Sequence, residues 1–160
     1  MGARITLLHA VLNLNTRLFH SCLQDVDDGA ARKRFEGANN IAFIAAHLVD
    51  ARRFLGEYLG ISPGLLPAEL LTDAHSIEDV QAYPSLEWLK AAWQSVSRSL
   101  SERFSGLSEE ELAAASPRSF PLEEGTVLGG IAFMLQHESY HIGQISLLRR
   151  LLGLGPMSYF

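Results

Sequence analysis

Apolar residues recur along this chain at helical spacing in four long stretches. From about Arg4 to Asp25, the positions Leu8, Leu12, Asn15, Phe19 and Cys22 follow at alternating steps of four and three residues, which aligns them on one helix face. A second stretch opens at Asn39 and Asn40, side chains suited to accept the free N–H groups of a first turn, and runs to about Leu59 before Gly60. Its stripe is Ile44, His47/Leu48, Ala51, Leu55 and Tyr58/Leu59. The third begins at Pro84-Ser85 and continues to Phe104, burying Leu86, Leu89, Trp93, Val96 and Leu100. The fourth starts near Thr126 and stops at Gly153, with Pro156 preventing its resumption. Its stripe reads Ile131, Met134, His137/Glu138, His141, Ile145, Leu148 and Leu152.

The connections are unequal. Between Gly60 and Pro84 the chain carries Pro63, Pro67 and Gly64, with room only for a short turn at Ile77 to Gln81. So long a connection suggests a crossover or the rim of a site. Ser108-Glu109-Glu110-Glu111 reads as a capping box and starts a short helix before Pro117. There is no internal repeat and no convincing strand. The pattern predicts an all-α four-helix bundle, one domain spanning residues 1–160.

Composition narrows the function. At 160 residues, 48% apolar and 19% charged, the chain can bury a real core without covalent staples. The net charge is −5, and the basic cluster Arg32-Lys33-Arg34 is offset by Asp25, Asp27, Asp28 and Glu36, so nucleic acid is not an expected partner. No apolar run approaches the roughly 20 residues that a membrane helix needs. Met1 to Leu14 loosely resembles a signal peptide, but Asn13 and Asn15 interrupt it and no small-residue cleavage site follows. Met1-Gly2 with Thr6 matches a short myristoylation pattern of the sort that arises often by chance. The single cysteine, Cys22, excludes an intrachain disulfide and fits a cytoplasmic setting.

The chemistry lies in the histidines. His137 and His141, four residues apart, are offset by about 40° and about 6 Å along a helix, so both rings can converge on one ion. Both lie on a stripe that faces the interior, where a polar ring must be paired. His47 lies on the buried stripe of the second helix, beside Ala45, Ala46 and Leu48. Together they offer three nitrogen ligands with positions left open, a set that zinc, nickel or iron accepts. A lone core histidine is more often hydrogen-bonded than metal-bound, but two at this spacing plus a third favour one divalent ion. His9, His20 and His75 carry no such signal and are read as surface residues.

Two other motifs overlap these residues. His137-Glu138-Ser139-Tyr140-His141 spells the His-Glu-x-x-His of zinc proteases, whose glutamate is the general base. The 19 residues after His141 contain no His, Asp or Glu to complete such a site. Glu138-x-x-His141 is half of a di-iron carboxylate design, and no second half exists.

The whole run His137-Glu138-Ser139-Tyr140-His141-Ile142-Gly143-Gln144-Ile145, with an isolated histidine in the second helix, resembles the DinB/YfiT-like superfamily. The opening Pro84-Ser85-Leu86-Glu87-Trp88-Leu89 and the segment Gly106-Leu107-Ser108-Glu109-Glu110-Glu111-Leu112 also look typical of it. The resemblance implies a four-helix bundle of up-down-down-up topology, with the long connection between helices two and three. It further implies a divalent metal on the three matched histidines and, often, a homodimer. Characterised relatives include thiol transferases and isomerases that use bacillithiol, mycothiol or glutathione.

The resulting expectation is a metal-dependent enzyme acting on a small-molecule substrate: a low-molecular-weight-thiol S-transferase, or a related hydrolase or isomerase. A non-catalytic metal or ligand-binding stress module and a purely structural bundle are the competing readings. Gln144, one turn beyond His141, is a candidate to orient a ligand, and Asn15 to hydrogen-bond into the site. Glu138 and Tyr140 flank the ligands as candidate proton relays. Arg53 is a weaker candidate for a thiol's carboxylates, a surface salt bridge being its commoner role. Cys22 is read as a small buried hydrophobe.

Overall fold

Each apolar stripe needs cover, and the four long helices provide it for one another. The computed structural model describes residues 2–72, 74 and 76–159, apart from the side chain of Ala3; His75 lies outside the described residues. Among these, six helices follow in order: α1 (Ala3–Cys22), α2 (Asp28–Ala31), α3 (Ile41–Tyr58), α4 (Leu86–Gly106), α5 (Glu109–Ala113) and α6 (Val127–Leu151). No strand forms among the described residues, only one isolated bridge between Ala115 and Thr126 that draws the ends of the last connection together. No described helix is long and apolar enough to cross a membrane.

Capping side chains set where the helices start. Asn40 Oδ1 accepts the N–H of Phe43 at 2.8 Å, and Ser85 Oγ accepts that of Trp88 at 3.2 Å. Ser108 and Glu111 close the capping box on α5 reciprocally, at 3.1 and 2.8 Å. Helix α1 stops three residues short of the Asp25 that periodicity suggests. Asp25 there takes a left-handed φ of 60°, a conformation that aspartate tolerates and that breaks the helix. Asp27 then caps α2, which is too short for periodicity to detect. At the far end, Gly153 has φ of 84° and Leu154 N–H returns to Arg149 O at 3.1 Å, closing α6.

Long-range pairs fix the relative directions. Asn15 bonds to Leu135 O, and Arg149 to Ser21 O, so α1 and α6 run the same way. Arg52 meets Ser97, and Arg103 bonds to Leu59 O, so α3 and α4 run together as well. His9 pairs with Ser101 and Trp93 with Thr16 O, which sets α1 against α4. Tyr58 packs at Gly130, and Ile44 faces Leu148, which sets α3 against α6. Around the bundle, α1 and α3 stand diagonally, each flanked by α4 and α6. The connection between α3 and α4 contains 3₁₀ turns at Pro63–Leu65 and Ile77–Asp79. It is tied down by Asp50, whose carboxylate accepts the N–H groups of Leu70 and Leu71, each at 2.9 Å.

The stripes are buried as their spacing requires. Leu12, Phe19, Leu48, Leu55, Leu89, Trp93, Leu100 and Ile145 have no accessible surface. Side chains of this kind contribute about 1.5–3 kcal/mol each when fully buried. Trp93 stacks on Phe19 with centroids 4.4 Å apart, at the centre of one of two apolar clusters.

Candidate metal centre

Antiparallel packing of α3 on α6 carries His47 to the turn that bears His137 and His141. His47 Nε2 lies 3.2 Å from His137 Nε2, and His141 Nε2 lies 3.1 Å from that same atom. One ligand atom from each of the three rings falls within 4.8 Å of the others. The rings stand edge to face, with interplanar angles of 68°, 75° and 74°.

Hydrogen bonds alone do not satisfy this arrangement. His141 Nδ1 donates to Gln144 Oε1 at 2.7 Å, so its neutral ring presents a lone pair at Nε2. A single N–H on His137 Nε2 serves one neighbour well and leaves the other contact without a proton of its own. A cation among the three nitrogens satisfies all of them. In a tetrahedral site with metal–nitrogen bonds of about 2.0–2.1 Å, neighbouring nitrogens are about 3.3 Å apart, close to the 3.2 and 3.1 Å of the two pairs that share His137 Nε2. The donor set therefore fits a divalent ion. All three side chains are only half-buried, and no carboxylate or thiolate joins the cluster among the described residues.

Burial also prepares the donors. Desolvation, reinforced by the neighbouring imidazoles, lowers His47 and His137 to a pKa of about 4. Desolvation lowers His141 as well, opposed by its bond to Gln144. The rings are thus neutral near pH 7, the form in which imidazole binds metal.

The sequence profile of the DinB superfamily matches residues 12–145, a span that takes in α3, α4 and all three histidines. The chain belongs to the DinB superfamily. No curated protein matches it significantly.

Within this DinB-superfamily bundle, the histidines occupy a seam with different walls on its two sides. Phe133 stacks near His137 at 6.3 Å, and Phe120, Tyr58 and Phe54 extend that aromatic wall along α3 and α6. On the other side, Ile44, Gln144, Leu147 and Leu148 line a half-open hollow of about 230 Å³, bordered by the loop at Gly37. Gly37 has φ of 69°, which suits glycine and few other residues.

Of the residues singled out from the sequence, Gln144 touches a histidine directly. Tyr140 is 58% exposed, with its ring edge-on to His141 at 5.1 Å. Glu138 and Asn15 lie in a separate group in the bundle interior. Both carboxylate oxygens of Glu138 are taken by Arg52, at 2.8 and 3.0 Å, and Asn15 Nδ2 donates to Glu138 Oε2 at 3.2 Å. The glutamate of the protease-like motif is thereby committed to an arginine. Arg52 itself escaped the sequence reading, which weighed its neighbour Arg53; the sole hint was its fit to the buried face of α3. Arg53 forms the surface ion pair with Glu57 at 2.8 Å.

His9 and His20, read as surface residues, are part-buried and bonded to Ser101 at 2.7 Å and Gln94 at 3.2 Å. The difference arises because the polar flank of α1 abuts α4. Cys22 has no accessible surface, donates to Phe19 O at 3.2 Å, and is raised by desolvation to a pKa of about 12.

Proposed function

We propose that this DinB-superfamily protein is a metal-dependent enzyme whose ligands are His47, His137 and His141, acting on a small molecule with a low-molecular-weight thiol as cosubstrate. S-transfer is the favoured reaction, with hydrolysis or isomerisation at the same site as related chemistries. The observation that carries the reading is the meeting of three neutral imidazole nitrogens, with no fourth side-chain ligand beside them among the described residues. Zinc or nickel suits this set best, and iron is also compatible with imidazole ligation.

Held by His47, His137 and His141, a divalent ion would supply the means to lower the pKa of a bound thiol or water towards neutral pH. The remaining work falls to the chain. Gln144 holds His141 in one tautomer and orientation. The hollow beside Gln144, with Ile44, Leu147 and Leu148 in its lining, offers a partly apolar seat for part of a substrate. Asp50, one turn beyond His47, anchors the long connection that borders the seam. The family resemblance further proposes a homodimer, which sedimentation equilibrium tests directly.

The test is metal content per chain on untagged protein and on His47→Ala and His141→Ala, followed by thiol-transfer assays on the loaded protein. The expected result is near one divalent ion per chain, lost in both variants, with turnover that follows the metal. Absence of metal after reloading overturns the site. Metal without turnover for any thiol and electrophile pair leaves a binding module instead of an enzyme.

A further inference from the structure

The core is interrupted by a polar layer at the level of the histidines. One apolar cluster contains Leu18, Leu48, Leu89 and Ile145; the other contains Leu12, Leu55, Leu100 and Ile131. Between them stand Asn15 and Thr16 from α1, Arg52 from α3, Ser97 from α4 and Glu138 from α6. Arg52 is 0% exposed and Glu138 1%. The guanidinium grips the carboxylate as a fork, Nε to Oε1 at 2.8 Å and Nη2 to Oε2 at 3.0 Å. Its Nη1 donates to Thr16 Oγ1 at 2.8 Å and to Ser97 Oγ, and Nη2 also reaches Leu12 O at 3.2 Å. The face of the fork lies on Trp93, 3.4 Å from the ring centroid. Asn15 binds Glu138 and Leu135 O, and accepts from Ser139 Oγ at 3.1 Å.

Burying this many charges and dipoles is a poor route to stability, because an apolar pair of similar volume packs as well or better. What an apolar pair does not supply is a unique rotation. Helix α6 carries Leu147 and Leu151 outward, 62% and 54% exposed, besides the Ile131, Met134, Ile145 and Leu148 that it buries. Its apolar residues therefore do not by themselves choose one face. A slip of one residue turns His137 away by about 100°. The fork forbids that slip, and it joins the same two helices that the histidines join: Glu138 follows His137, and Arg52 lies five residues after His47.

We propose that the Arg52–Glu138 ion pair, braced by Asn15, is the positioning element of the three-histidine site, setting the rotation and register of α6 against α3 so that the Nε2 atoms meet. Its metal arm rests on the metal reading above; the register does not.

The test compares wild type with the apolar pair Arg52→Met/Glu138→Leu and with Arg52→Lys, which keeps the charge and loses the fork. Zinc affinity is read by competition with a chromophoric chelator, geometry by the visible spectrum of cobalt(II)-substituted protein, and register in metal-free protein by NOEs between the His47 and His137 rings. Far-UV circular dichroism and urea midpoints monitor the fold. The expected double variant is helical, with a urea midpoint no lower than wild type. It binds zinc at least tenfold more weakly, with an altered cobalt spectrum and weakened NOEs, and Arg52→Lys falls between. Zinc affinity within twofold of wild type and intact NOEs in the double variant overturn the proposal. If the double variant does not fold, the same criteria applied to Arg52→Lys decide. Failure of wild type to bind zinc overturns the metal reading alone, and the NOEs then decide the positioning.

Discussion

His141 Nδ1 lies 2.7 Å from Gln144 Oε1, one turn further along the same helix. The bond leaves the His141 Nε2 lone pair facing His137, so Gln144 fixes which nitrogen of His141 is free to serve as a ligand. Gln144→Leu keeps the helix and much of the volume while removing the acceptor. Zinc affinity is expected to fall about 10- to 100-fold, as for other lost partners of ligating histidines, with little change in the urea midpoint. Chelator competition measures it, and an unchanged affinity would show that packing alone orients the ring.

The metal-free protein is expected to lose stability in mild acid. His47 and His137 titrate near 6.5 in the unfolded chain and at about 4 in the folded one, because burial disfavours their charged forms. Between these values the unfolded state holds protons that the folded state does not, so stability rises with pH across this window. The contribution is complete above about pH 6.5 and declines as pH falls towards 4. Urea midpoints at pH 7.5, 6 and 5 should decrease in that order, and the slope should shrink in His47→Ala. Equal slopes in the two proteins would exclude His47 as a source.

Cys22 is expected to be inert in the native state. Its thiol is fully buried and held at a pKa of about 12 by desolvation, so almost no thiolate exists at pH 8. An aromatic disulfide reagent should label it only on the timescale of unfolding, and at once in denaturant. Rapid native labelling would mean that α1 opens locally.

Trp93 joins the apolar core to the polar layer, stacking on Phe19 on one side and on Arg52 on the other. Trp93→Ala is expected to destabilise by about 3–5 kcal/mol, in the range of large aromatic deletions from cores. It also removes the surface on which the guanidinium lies. Zinc affinity should therefore fall in the folded fraction too, whereas Phe104→Ala, in the other cluster, should cost similar stability and spare the metal. Urea denaturation with chelator competition separates the two effects.

The helices were legible because their causes are local. Stripes at helical spacing, Asn40, Ser85 and Ser108 as caps, and Gly153 as a terminator all act within a few residues. The His137 and His141 pair was legible for the same reason, since one turn of helix sets their separation. The sequence by itself thus determined the four long helical segments, the faces that α1, α3 and α4 bury, and that two imidazoles share one face of α6.

Tertiary structure decided what those faces meet. His47 reaches His137 because α3 packs against α6 in the opposite sense, a contact between residues 90 apart. Glu138 looked like a neighbour of the metal because it adjoins His137 in sequence. One residue is about 100° of helix, however, and that turn delivers it to Arg52 and Asn15 instead. The partner of a buried charge is chosen by three-dimensional packing, and no local pattern records it.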